Sequence, residues 1–167
     1  LNSFIRHADS VKIANLAQIV NVIAPILTDG DRMVRQTIFH PIAMMAKRRN
    51  GVSLRTSIEG PVYESKDYGS VPYVDASAIL NGNQLSVFAV NRSVDRPLEL
   101  AVRVGDRSVA EVLSAEIVAG SDPKEANTFD DPDRIAARPF EGACAKSGAA
   151  LFAMPPLSFV AATLRLD

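Results

Sequence analysis

From residue 52 to the end, the chain is a succession of short β-type runs: VSLRTSI, VPYVDASAIL, QLSVFAVN, PLELAVRV, RSVAEVLSAEIV, ALFAMPP and LSFVAATLRL. Turn signals separate them, with NGN at 81–83, NRSVDRP at 91–97 and GD at 105–106. Leu98, Leu100, Val102 and Val104 alternate with Glu99 and Arg103, which gives that run one wet face. VPYVDASAIL and QLSVFAVN, joined by NGN, read as a hairpin. Many short strands with no long helix between them restrict this part to an antiparallel β-sandwich of jelly-roll type. The stretch 120–139, GSDPKEANTFDDPDRIAARP, is too polar for a strand and reads as a long exposed loop.

The first fifty residues follow another rule. Residues 1–8, LNSFIRHA, place Phe4, Ile5 and Ala8 on one side of a short helix. VKIANLA (11–17) reads as a short buried strand, with a helix over 11–24 as the competing assignment, since periodicity does not separate the two in so short a run. Residues 21–32 form a loop: Pro25 removes a donor, and DGD is a turn signal. Residues 35–51 read as a helix with Ile38, Ile42, Met45 and Ala46 on its apolar face. Pro41 marks its start or a kink, Lys47, Arg48 and Arg49 suit its C-terminal dipole, and Gly51 stops it. The order helix, strand, loop, helix is a fragment of an alternating α/β pattern. A strand apolar on both faces needs neighbouring strands on each side, and none are available in 1–50.

The apolar stretch 13–28, IANLAQIVNVIAPILT, carries three amides, Asn15, Gln18 and Asn21, besides Pro25, and Asp29 closes it. A membrane span needs about 20 predominantly apolar residues, so that reading fails. Net charge is −1, which favours neither nucleic acid nor an anionic membrane. The charge is uneven: 1–50 hold seven Lys/Arg against Asp9, Asp29 and Asp31, which places a boundary between two pieces near residue 50. Cys144 is the only cysteine, so no internal disulfide forms, and it is expected as a small buried or half-buried side chain. His7 and His40 stand apart from any zinc spacing. Asp122, Glu125, Asp130, Asp131 and Asp133 lack the spacing of a calcium loop and are expected to be solvated.

HADSVKIANLAQIVNVIAPILT followed by RQTIFHP, then VPYVDASAILNGNQLSVFAVNR, EANTFDDPDRI and MPPLSFVAATLRL, resemble in order and spacing the α-L-arabinofuranosidases of glycoside hydrolase family 51. The resemblance covers essentially the whole chain. It implies a (β/α)₈ catalytic barrel to which a β-sandwich is appended, with 1–50 as the last helix–strand–helix portion of the barrel and 51–167 as the sandwich. VKIANLA would be the last barrel strand. Gln18 would stand at its C-terminal end, the face on which barrel active sites are built, and would hydrogen-bond an arabinofuranosyl hydroxyl. Asn15 and Asn21 are expected to be structural.

Retaining glycosidases need two carboxyl groups about 5–5.5 Å apart, one as acid/base and one as nucleophile. The resemblance makes both of them Glu on earlier barrel strands, and this chain has no Glu before Glu59. Its own catalytic set is therefore empty, and alone it is expected to hydrolyse nothing. No metal or cofactor is implied. The partners implied are an arabinofuranosyl carbohydrate, the remainder of the barrel and further copies of the chain, as hexamers. The absence of a leader pattern, together with the intracellular bacterial members of the family, points to the cytoplasm. One departure concerns the substrate: Val34 stands where the family usually has Trp, and His40 where an aromatic is usual. Two other readings remain. One is a carbohydrate-binding module built on exposed Tyr63, Tyr68 and Tyr73. The other is an oligomer-forming sandwich without catalysis.

Overall fold

A computed structural model describes all 167 residues. The elements in chain order begin with α1 (Asn2–Arg6), β1 (Ile26–Asp29), β2 (Arg32–Arg35) and α2 (Phe39–Ala46). β3 (Val52–Leu54), β4 (Val62–Ser65), β5 (Gly69–Pro72), β6 (Val74–Asn81), β7 (Gln84–Asn91) and β8 (Leu98–Val102) follow. The chain ends with β9 (Val109–Ala119), β10 (Arg138–Pro139), β11 (Ala143–Lys146), β12 (Ala149–Met154) and β13 (Ser158–Leu166). No helix is long and apolar enough to cross a membrane.

The sandwich forms as the alternation requires. Six strands pair in the order β10-β9-β13-β7-β6-β3, and three in the order β11-β12-β8, with antiparallel neighbours throughout. The predicted hairpin is β6–β7: Asn81 pairs with Gln84 across Gly82-Asn83, and Gly82 takes φ +61°. β13 runs between β7 and β9, so both its edges are paired, and it is buried over most of its length. That explains why LSFVAATLRL reads as nearly continuous apolar sequence. One face of the strand packs into the sandwich and the other meets the N-terminal helices.

Two apolar clusters lie on opposite faces of the six-stranded sheet. Val87, Ala89, Val160, Ala162 and Leu164 point towards Phe152, Met154 and Leu100 of the three-stranded sheet. Phe88, Phe159, Ala161 and Val118 point the other way, towards Met44 and Met45 of α2, with Ile5 of α1 at the edge. A period of two assigns each residue to one face, and both faces are apolar because each has a layer to cover it. β8 shows the expected single wet face, with Glu99 exposed between half-buried Leu98 and Leu100.

The N-terminal fifty residues depart from expectation. No strand forms over 11–17. The segment has no regular structure and no strand partner, and residues 12–20 are exposed throughout. The cause is the one that makes such a strand demanding: its backbone N–H and C=O groups need parallel neighbours, and this chain has none to offer. The stretch 21–32 is more ordered than a loop. β1 and β2 form a hairpin, with Asp29 paired to Arg32 across Gly30-Asp31, and Gly30 takes φ +56°. This hairpin takes up Arg35, so α2 starts at Phe39 and Pro41 falls in its first turn, where no backbone N–H is needed. The buried side of α2 is His40, Met44 and Met45, while Ala46 is exposed and Ile38 is 44% exposed. Within α1, Ile5 packs inward, but Phe4 is 48% exposed.

Residues 120–137 have no regular structure and are exposed over most of their length, as expected, but two of them are drawn inward. Asn127 and Ile135 are buried. Cys144 is also placed differently from expectation: it is exposed on β11. A small separate hairpin, β4–β5, was not legible beforehand.

Candidate functional site

The seam between the N-terminal segment and the sandwich is densely bonded. Asn2, buried at the start of α1, donates from Nδ2 to the Asp75 backbone carbonyl (3.2 Å) and to its carboxylate (3.1 Å), and accepts from Ser77 Oγ (2.9 Å). Arg6 donates to Asp75 Oδ1 (2.7 Å) and to the Ala76 carbonyl (2.8 Å). At the other end, Arg48 donates to Glu116 Oε2 (2.8 Å), the Met44 carbonyl (3.1 Å) and Thr163 Oγ1 (3.1 Å). Lys47 adds a bond to Glu116 Oε1 at 2.9 Å. Burial alone would raise the Glu116 pKa, but the hydrogen bonds and charges of Lys47 and Arg48 outweigh it and hold the carboxyl below its ordinary value. The Lys47–Arg49 cluster thus does more than complement a helix dipole: two of its three members bind the sheet.

The amides of the apolar stretch separate into two groups. Asn21, at φ +62°, accepts the Thr28 N–H at 2.7 Å and donates to Thr28 Oγ1 at 3.1 Å, which ties the start of the hairpin to β1. That is the structural role expected of it. Asn15 and Gln18 lie on the exposed segment without regular structure. Around Gln18 the aliphatic side chains are bare: Ile13 is 78% exposed, Ile19 77% and Val22 80%. Val34 is buried on β2 at 2% exposure.

Asp29 is paired with Arg32, and Asp9 and Asp31 are exposed. Glu111 is within 3.3 Å of Arg165. Three carboxylates of the acidic stretch are engaged by protein groups. Glu125 accepts the N–H groups of Ser121 (2.7 Å) and Asp122 (3.3 Å) as well as the Ser121 hydroxyl (3.0 Å), and these bonds hold its carboxyl below the ordinary value. Asp131 pairs with Arg134 at 2.7 Å and Asp133 with Arg35 at 3.1 Å. His, Cys, Asp and Glu side chains nowhere gather in a group of three or more that could hold a metal ion. An open groove of ≈410 Å³ lies between the start of α2 (Thr37, Ile38, Pro41) and the 120–137 stretch, and Gln18 does not line it.

The tyrosines do not make a stacking platform. Tyr63 and Tyr73 are half-buried at the root of the β4–β5 hairpin, with ring centroids 5.1 Å apart and planes tilted by 45°. Tyr68 is 83% exposed and alone. A sugar-stacking surface needs an open face, and the two neighbouring rings cover each other.

Similarity to known proteins bears on the same residues. The sequence profile of the α-L-arabinofuranosidase C-terminal domain matches residues 1–158. The chain is 37% identical over 161 residues to an intracellular exo-α-(1→5)-L-arabinofuranosidase of Streptomyces lividans, covering 95% of this chain and 24% of that protein. It is 32% identical to an exo-α-(1→6)-L-arabinofuranosidase of Bifidobacterium longum, covering 95% and 31%. Its fold superposes on a family 51 α-L-arabinofuranosidase of Bifidobacterium longum with a TM-score of 0.89 at 28% identity, over 98% of this chain and 33% of that one. The Xanthomonas axonopodis family 51 enzyme gives the same TM-score at 29% identity, with the same coverage. The chain thus spans about a quarter to a third of the length of these relatives. The packed seam, the sandwich and the sequence match coincide in one unit, and the chain belongs to the α-L-arabinofuranosidase C-terminal domain family of glycoside hydrolase family 51.

Proposed function

We propose that this chain is the C-terminal part of a retaining α-L-arabinofuranosidase that releases terminal arabinofuranosyl residues from arabinose-containing oligo- and polysaccharides. Residues 1–50 complete the catalytic barrel and 51–167 form the appended sandwich. The observation that carries this reading is the segment 12–19, with bare aliphatic side chains and no strand partner, beside a sheet whose two faces carry apolar clusters. Its exposed aliphatic residues recur at Ile13, Leu16, Ile19, Val20, Val22 and Ile23, more apolar surface than a soluble domain leaves to water without a partner. Parallel neighbours from an upstream barrel would satisfy both the surface and the backbone.

In this arrangement Gln18 presents its amide to a hydroxyl of the arabinofuranosyl ring. An amide donates and accepts at once and brings no charge near the oxocarbenium-like transition state. The two catalytic carboxyl groups come from the upstream portion, so the 167-residue chain alone is inactive. The sandwich and the seam hold the segment that bears Gln18 at a fixed distance from the sheet. The relatives named intracellular favour the cytoplasm, and the chain assembles further as a homo-oligomer, which light scattering on the whole protein would read directly.

The test is Gln18→Ala in the protein that carries this chain together with its upstream portion. Loss of a hydrogen bond worth about 1–2 kcal/mol lowers kcat/KM on an aryl α-L-arabinofuranoside roughly 5- to 30-fold, with thermal stability unchanged. Unchanged kcat/KM would remove Gln18 from the site. The carbohydrate-binding alternative loses its main support because Tyr63 and Tyr73 cover each other.

A further inference from the structure

Residues 120–137, which run from the end of β9 to β10, are fastened along the N-terminal segment at four points. Asn127 Nδ2 donates to the Arg35 carbonyl at 2.8 Å. The Arg35 guanidinium meets Asp133 at 3.1 Å. The Arg32 guanidinium lies over the Phe129 ring, 4.7 Å from its centroid. The Ala137 N–H donates to His40 Nδ1 at 3.3 Å.

The fourth point differs in kind, because it depends on a proton. His40 is 5% exposed. An Nδ1 that accepts a hydrogen bond leaves the ring proton on Nε2, and Nε2 is buried with no hydrogen-bond partner. The ring is therefore neutral. Its surroundings disfavour the cation: burial first, then the positive charge of Arg35 from β2, lower its pKa below the ordinary value. Asp133 and the Ile135 carbonyl, both on the 120–137 stretch, act in the opposite direction. Asp133 also pairs with Arg35 and the Ile135 carbonyl also accepts from Asn127 Nδ2 at 2.8 Å, and burial and Arg35 together outweigh the pull of these two groups. Within α2 itself the Phe39 ring stands perpendicular to His40, with centroids 5.6 Å apart. β9 and β13 bring Val118, Phe159 and Ala161 to the cluster beneath α2, and the nearest carboxylate of these strands to α2, Glu116, is held by Lys47 and Arg48.

We propose that residues 120–137 are a proton-released strap, in which protonation of His40 expels the Ala137 N–H and frees the strap from α2. A proton on Nδ1 faces the Ala137 N–H with a second donor, so the bond is lost and a like-signed contact replaces it. The open groove of ≈410 Å³ has the strap as one wall, through Asp122, Pro123, Glu125 and Ile135, and the start of α2 as the other. Release of the strap widens that groove. The sign follows from linkage. The closed state carries the lowered pKa, so it is favoured above the free-histidine value of about 6.5 and loses ground as pH falls below it. In that window the open population grows by up to about tenfold per pH unit.

Hydrogen–deuterium exchange on the protein that carries this chain, with its upstream portion, tests this between about pH 7.5 and about pH 5. With rates divided by intrinsic chemical rates, protection of peptides over 127–137 falls by up to about tenfold per pH unit below about 6.5, and His40→Phe gives a flat profile. A flat profile in the unaltered protein, or the same fall in His40→Phe, overturns the proposal. Should His40→Phe fail to fold, the ¹³C-labelled imidazole of the unaltered protein decides. A His40 resonance that titrates below the ordinary value together with the Ala137 amide supports the strap, and one that titrates at or above it sinks it.

Discussion

Substitution of Arg48 by Met tests whether the seam depends on one buried charge. The Arg48 side chain is 8% exposed and that of Glu116 24%. Arg48→Met keeps most of the aliphatic stem but deletes the bonds to Glu116, Thr163 and the Met44 carbonyl. Removal of one partner from a buried ion pair costs about 3–5 kcal/mol, because the other charge stays behind unpaired. Glu116 is only partly buried and keeps Lys47, whose side chain is 61% exposed, so the cost here is about 2–3 kcal/mol. Native-state hydrogen exchange reads that cost locally. Opening of α2 from the sheet becomes roughly 30- to 150-fold more populated, while amides of β12, on the far side of the sandwich, keep their protection. Addition of Glu116→Gln to the variant should cost less than the sum of the two single changes, since the stranded charge is gone. If α2 protection changes less than about threefold in a variant that still folds, apolar packing of Met44 and Met45 dominates the attachment of α2 and the electrostatic argument for Arg48 is wrong.

Three further outcomes follow from the same geometry. Phe152 is fully buried between the two sheets, so Phe152→Ala should lower stability by about 3–5 kcal/mol in denaturant titration. Gly51 leads from α2 into β3 at φ +125°, and a Cβ there would collide with the Leu80 carbonyl oxygen; Gly51→Ala should lower the melting temperature by several degrees, whereas Gly60→Ala, with open space around it, should cost less. The lowered pKa of Glu116 gives stability that is present above its unfolded value of about 4.5 and is lost as pH falls below it; the acid limb of a stability–pH profile should therefore be shallower in Glu116→Gln than in the unaltered protein.

The parts of this fold that were legible in the sequence are those set by local period. Alternation over 84–91 and the turn at Gly82-Asn83 specify the β6–β7 hairpin before any partner is known, because side chains two apart share a face whatever covers it. The largely apolar run of 158–166, broken only by Ser158, Thr163 and Arg165, marks a strand covered on both faces, and β13 is that strand. The order of motifs along the chain pointed to family 51, and the profile match over 1–158 agrees. The β4–β5 hairpin carried too weak an alternation to be seen.

Tertiary structure alone decided the rest. VKIANLA has the composition of a buried strand, but a parallel strand exists only through its neighbours, and here it stays unpaired with Ile13 in water. The polar composition of 120–139 signalled solvation, yet one amide, Asn127, bonds both the Arg35 carbonyl and the Ile135 backbone and so draws the stretch inward. The lysine and arginine cluster at 47–49 suited a helix dipole on sequence grounds, and only the approach of Glu116 from 68 residues away turned Arg48 into a buried ion. The sequence determined which residues could share a face, since that depends on backbone period over a few residues. It did not determine which faces meet, because that depends on contacts between residues far apart in the chain.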